Sequence, residues 1–163
     1  MSTVETDATR LYQGIQVGKG GIILINIQNG FIEIANKNFA IKKNLTEEEF
    51  IKSSLFSDVV NKDDYGYKRY FIKPQIICNA KFVISLIFNT DGVLYMTNLG
   101  LQMNDSLPSW ETWSENDEIQ KKELNDKWLE KNVGKPPYTY PWGSISSSYD
   151  PRSGSSSITI VYK

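Results

Sequence analysis

The sequence predicts an α+β fold: one large antiparallel β-sheet, built as a meander with hairpins, and two helices packed against it. Short β-branched and aromatic runs with period-two alternation recur along the chain. Turn residues such as Asn29-Gly30, Asn89-Thr90-Asp91-Gly92 and Asp150-Pro151-Arg152-Ser153-Gly154 separate them. Only two stretches carry helix signals, one opening at Thr46 and one lying between Ser109 and Asn132. The length of 163 residues suits a single core, and no repeat, linker or low-complexity stretch divides it. Residues 1–163 therefore read as one domain, with residues 1–10 as a flexible start.

The first half reads as a meander. Tyr12 to Val17 alternates well enough for an extra strand, and Ile22 to Ile27 is short and β-branched. Asn29-Gly30 can supply the two positive φ angles of a type I′ turn into Phe31–Ala35. There Ile32 and Ile34 share one face, and Phe31, Glu33 and Ala35 the other. Asn36-Lys37-Asn38 turns the chain into Phe39-Ala40-Ile41.

The first helix is well marked. Thr46 and Glu49 make a capping box, and Leu45 and Phe50 a hydrophobic staple. Glu47, Glu48 and Glu49 lie in the first turn, where the helix dipole favours acids, so capping explains them without a site. The helix is expected to end near Phe56, with Ser57 to Val60 irregular.

Tyr65 to Ile72 alternates, with Tyr65, Tyr67, Arg69 and Phe71 on one side and Lys68, Tyr70 and Ile72 on the other; Pro74 ends or edges it. Phe82 to Phe88 is the most apolar run and turns into Val93–Met96, which places this hairpin at the centre of the sheet.

In the second helical stretch Trp110, Trp113, Leu124 and Trp128 fall on one stripe, but so do Asp117 and Lys121. Either the helix breaks near Ser114-Glu115-Asn116 and starts from about Asp117, or it is only partly packed. Gly134 and Pro136-Pro137 stop it. The chain closes on a hairpin: Tyr140 to Tyr149 runs up, Asp150 to Gly154 turns, and Ser155 to Tyr162 returns with Ile158, Ile160 and Tyr162 on one face.

Composition narrows the chemistry. There is no histidine, and the one cysteine, Cys78, sits in an apolar stretch and reads as a small core residue. Imidazole acid–base work, Ser-His and Cys-His couples and His/Cys metal clusters are excluded. Among carboxylates, Asp63, Asp64, Asp91 and Asp150 read as turn formers, so no catalytic residue is assigned. Asn61 to Tyr67 lacks the spacing of a calcium loop, and Val17 to Gly21 lacks that of a phosphate loop. No metal, cofactor, nucleic acid or membrane is expected. Tyr65 to Lys73 interleaves aromatics with basic residues, but the net charge of −1 favours an ordinary strand. With a polar first ten residues, no apolar run near the length of a membrane span and a single cysteine, a cytoplasmic protein is expected. Charge is uneven: residues 110–131 hold seven Asp/Glu against four Lys. Such a segment is either a solvated helix face or a surface for a basic partner.

The run Tyr140-Pro141-Trp142-Gly143-Ser144-Ile145-Ser146-Ser147-Ser148-Tyr149-Asp150-Pro151-Arg152-Ser153-Gly154, preceded by the Trp110/Trp113 helix, resembles bacterial immunity proteins of polymorphic toxin systems, of the contact-dependent growth inhibition and Rhs types. The likeness spans roughly residues 45–163 and rests on layout and the final hairpin. It implies a non-catalytic inhibitor that binds the C-terminal effector domain of a cognate toxin encoded by a neighbouring gene. On that reading the toxin contacts are Trp110 and Trp113 as anchors and Glu111, Glu115, Asp117 and Glu118 as an acidic surface. The competing reading puts the tryptophans in the core. Two other functions stay open: a carboxylate-dependent hydrolase acting through Asp63, Asp64 or Asp150, and a structural or adaptor protein self-associating through an edge strand or the tryptophan helix. The sequence leaves the oligomeric state open.

Overall fold

A computed structural model describes residues 24–34, 37–103 and 109–163. The strand expected over Tyr12–Val17, the start of the Ile22–Ile27 run and the flexible start at 1–10 lie outside the described residues. The fold is α+β. Strands β1 (Leu24–Asn26), β2 (Phe31–Ile34) and β3 (Phe39–Ile41) form a small sheet in that order. Helix α1 (Glu47–Ile51) and a 3-10 turn (Ser54–Asp58) lead into β4 (Val59–Tyr65), β5 (Tyr67–Ile77), β6 (Ala80–Phe88) and β7 (Leu94–Leu101). Helix α2 (Glu115–Asn132) precedes β8 (Thr139–Tyr140), β9 (Gly143–Asp150) and β10 (Ser155–Tyr162). The large sheet runs β4-β5-β6-β7-β10-β9-β8, with every neighbouring pair antiparallel.

Ile32 and Ile34 are buried and Glu33 exposed, as the alternation requires. The preceding turn differs from the type I′ expectation. Asn26 pairs with Phe31, so four residues form the loop, and only Gly30 takes a positive φ, of 75°. Asn29 contributes through its side chain, whose Oδ1 accepts from Phe31 N at 3.0 Å. Gly30 has a second reason to be glycine: a Cβ there would lie 2.6 Å from the Trp142 ring.

The capping box is formed, with Glu49 N donating to Thr46 Oγ1 at 3.1 Å and Thr46 N to Glu49 Oε1 at 3.0 Å. Helix α1 nevertheless stops at Ile51 rather than near Phe56. Serine hydroxyls divert the backbone after it: Ser53 donates to the Phe50 carbonyl at 2.7 Å and Ser57 to the Ser54 carbonyl at 2.9 Å. The residues expected to be irregular or turn-forming, Ser57–Val60 and Asp63-Asp64, instead lead into and build β4. It is an edge strand, so most of its side chains face water and no apolar alternation marks it. Strand β5 runs past Pro74 because the register shifts between Ile72 and Gln75, where no ladder donor is needed.

One face of the large sheet makes the core. Phe82, Ile84, Leu86 and Phe88 of β6 are fully buried, beside Tyr70 and Ile72 of β5, Leu99 of β7, and Ile158, Ile160 and Tyr162 of β10. Phe50 from α1 enters this face, with its ring 5.1 Å from Tyr70, 5.5 Å from Phe56 and 5.8 Å from Phe88 between centroids. Burying a side chain of that size stabilises the fold by roughly 1.5–3 kcal/mol.

Helix α2 lies on the same face, against β9 and β10. Its chain does break ahead of it, at Ser114, whose hydroxyl accepts from Asp117 N at 3.1 Å as the N-cap. Trp110 and Trp113 therefore fall before the helix, and the charged residues on their stripe no longer interrupt a core. The buried positions of α2 are Glu118, Asn125, Leu129 and Asn132, so its underside is mostly polar. At its C-terminal half Trp128 packs edge-on to Phe82 at 5.0 Å, and its Nε1 donates to the Cys78 carbonyl at 3.3 Å. Cys78 is buried. No described element covers the opposite face of the large sheet.

Candidate functional site

Residues 109–114, just ahead of α2, are fastened by Trp113. Its Nε1 donates to the Gly154 carbonyl at 2.7 Å, in the β9–β10 turn. Gly154 has φ of 68°, and a Cβ there would sit 3.2 Å from the indole, so the glycine serves both the turn and the close approach. Trp110 leans on Trp113, with centroids 6.1 Å apart. The outer ring is 78% exposed and the inner one 41%. A large apolar ring held this far into water by a hydrogen-bonded neighbour is a feature of contact surfaces rather than of cores.

The acids around the pair divide into two kinds. Glu111 and Asp117 are exposed and form no ion pair among the described residues. Glu115 is exposed too, and its carboxylate accepts from the Tyr149 hydroxyl at 3.0 Å. Desolvation, with the Glu115 hydrogen bond next, holds the Tyr149 phenol above its ordinary value. Glu118 turns the other way and is buried. It accepts from Ser156 N at 2.9 Å and from Lys121 Nζ at 2.9 Å, while its backbone carbonyl takes the Ser156 hydroxyl. The structure thus brings Trp110, Trp113 and Glu115 together at the β9–β10 end of the sheet, leaves Glu111 and Asp117 exposed in the same stretch of chain, and buries Glu118 as the fastening of α2 to β10.

The carboxylates considered for hydrolysis do not converge. Asp63 and Asp64 are consecutive residues of a strand and point to opposite faces, whereas a glycosidase needs two carboxyls facing each other. Asp150 ends β9 at the far end of the sheet and accepts from Arg152 N at 2.9 Å in the turn. Among the described residues no group of three or more Cys, Asp or Glu could hold a metal ion, and no helix is long and apolar enough to cross a membrane.

A second aromatic surface lies on the uncovered face. Asp63, Arg69, Ile87 and Met96 stand in one row across β4, β5, β6 and β7. Beside them Tyr65 is 86% exposed, Tyr67 51% and Tyr95 39%, around a hollow of about 280 Å³. The sequence put Tyr65, Tyr67 and Arg69 on one side of a single strand over Tyr65–Ile72; the chain instead turns at Gly66, so Tyr65 ends β4 and reaches the same face as the cross-strand partner of Tyr67. Tyr95 joins them because the register shifts between Ile87 and Phe88, leaving it as the extra residue of a β-bulge. Its ring lies 5.7 Å from that of Tyr67.

No protein-family model matches the chain, and comparisons with curated proteins and with solved structures find no match.

Proposed function

We propose that this chain is an immunity protein that neutralises a cognate bacterial toxin by binding its C-terminal effector domain, the product of a neighbouring gene, inside the cytoplasm and without catalysis. The observation that carries the reading is Trp110, an indole 78% exposed yet propped on a neighbour that is itself hydrogen-bonded to the backbone. Tryptophan is among the residues that dominate binding energy when they enter a partner's pocket, and this one rests against Trp113 with most of its surface turned outward. Glu111, Glu115 and Asp117, exposed in the same stretch of chain, add negative charge that matches a basic partner. Such charge speeds encounter and rejects acidic competitors. A standard interface takes about 800 Å² from each side, so contacts beyond the indole pair are required.

Co-expression with the adjacent toxin gene tests this. The intact chain is expected to protect cells, and Trp110→Ala to lose protection while melting at the same temperature. Growth arrest in the presence of the intact chain would remove the proposal.

A further inference from the structure

The uncovered face holds two opposite charges that do not meet. Asp63 and Arg69 are direct cross-strand partners and both are half-buried, the arrangement in which an acid and a base ordinarily pair. No ion pair joins them or engages either with another described residue. The Arg69 guanidinium lies instead over the Phe71 ring, 5.7 Å from its centroid. Around these charges stand Tyr65, Tyr67 and Tyr95, whose hydroxyls have no hydrogen-bond partner among the described residues.

A surface that presents one acid and one base side by side is complementary to itself. In a twofold contact the residue that meets a given partner residue is met by it in return. Asp63 of one copy then faces Arg69 of the other, and the reverse pair closes at the same time. We infer that the uncovered face of the β4–β7 half of the sheet packs against the same face of a second copy, with the tyrosines of each filling the hollow of the other. Four strands about 4.8 Å apart, each about eight residues long at about 3.3 Å per residue, give the β4–β7 face a flat area on the order of 500 Å², so an interface of about 800 Å² per partner also takes in the projecting rings of Tyr65, Tyr67 and Tyr95. The surface around Trp110 is not consumed. It sits on the α2 side, at the β9–β10 turn, whereas the cross-strand row of Asp63 meets β10 at Val161, about 20 Å further along that strand. A dimer therefore leaves two such surfaces free, whatever they bind.

Light scattering and sedimentation of the full chain over a wide concentration range test the inference. The wild type is expected to dimerise, and Asp63→Arg and Arg69→Asp alone each to weaken dimerisation at least tenfold. Mixed one to one, these two variants should recover the dimer, because one then carries two bases and the other two acids. The Asp63→Arg/Arg69→Asp double variant should recover it as well. If either reversal fails to fold, Tyr67→Ala replaces it and is expected to shift the chain to monomer with an unchanged far-ultraviolet dichroism. A wild type that is monomeric throughout overturns the inference. So does a dimer indifferent to these substitutions, or a monomer whose reversals abolish toxin protection, which would give the face to the toxin.

Discussion

The two aromatic surfaces sit at opposite ends and on opposite faces of the same sheet, and they differ most in the charges around them. Beside Trp110 and Trp113 the exposed acids Glu111, Glu115 and Asp117 outnumber the one base of the adjoining turn, Arg152. Beside the tyrosines stand one acid and one base, Asp63 and Arg69. A patch with an excess of one sign repels its own copy and attracts something of the other sign, while a balanced patch can mate with itself. They also differ in support. The tyrosines stand on strands of the sheet, whereas the tryptophans precede a helix and depend on one hydrogen bond to the Gly154 carbonyl.

Both surfaces rest on the core beneath them, and the largest effect should fall on both at once. Phe50→Ala empties the ring cluster with Tyr70, Phe56 and Phe88, and is expected to cost about 3–5 kcal/mol in urea unfolding. A loss under about 1 kcal/mol would mean that the cluster collapses to fill the gap, and that the shared foundation lies elsewhere.

A smaller effect should separate the surfaces. Trp110→Ala is expected to weaken toxin binding by about 2 kcal/mol or more, roughly thirtyfold, while stability changes by no more than about 0.5 kcal/mol. Calorimetric titration reads the first and thermal melting the second. The oligomeric state should not respond. If it does, the two regions are not independent.

Glu118 sharpens the distinction between a contact and its support. Glu118→Ala strips the buried Ser156 N–H and Lys121 of their acceptor, and should lower stability by about 1–3 kcal/mol. Toxin affinity per folded molecule should fall less than with Trp110→Ala. An affinity loss with unaltered unfolding would return Glu118 to the contact surface.

The smallest effect concerns acid. Burial alone would raise the Asp58 carboxyl, but Lys37 at 3.0 Å and Gln75 hold it below its ordinary value; Asp126, paired with Lys122, is likewise depressed. A depressed carboxyl stabilises the fold above its unfolded value, near 3.9, and that contribution is lost as pH falls through the lower folded value. Asp58→Asn should flatten the acid limb of stability by no more than about 1 kcal/mol, with no change in toxin binding at neutral pH. A stability curve unchanged below pH ~4 would show that this pair contributes nothing.

Much of this arrangement was legible in the chain. Thr46 and Glu49 marked the first helix because a capping box is local, β6 was visible as the most apolar run, and β10 because one of its faces is buried. Strand β4 was not legible, since an edge strand carrying Asn61, Lys62, Asp63 and Asp64 has no buried face to leave a pattern. The tyrosine surface was half legible. Period two grouped Tyr67 and Arg69, but Tyr65 joins them across the β4–β5 turn and Tyr95 through a register shift that exists only between strands. Of the residues expected at the toxin contact, Glu118 was misjudged for a related reason. Helical phase is read from apolar positions, and α2 has few, so nothing in its own residues indicates which polar side chain meets the serines of β10.

That polar underside has a further consequence. Where leucines seat a helix, water entering the seam is a foreign body. Beneath α2 the side chain of Asn125 is wholly enclosed with both amide atoms unmatched, and the nearby fastening is a carboxylate on a backbone N–H. A solvent molecule slipping in there arrives as a replacement partner, so lifting this helix costs less than its length suggests. The tryptophan pair adjoins the start of this helix, and a ligand gripping it would also bear on how often the helix lets go.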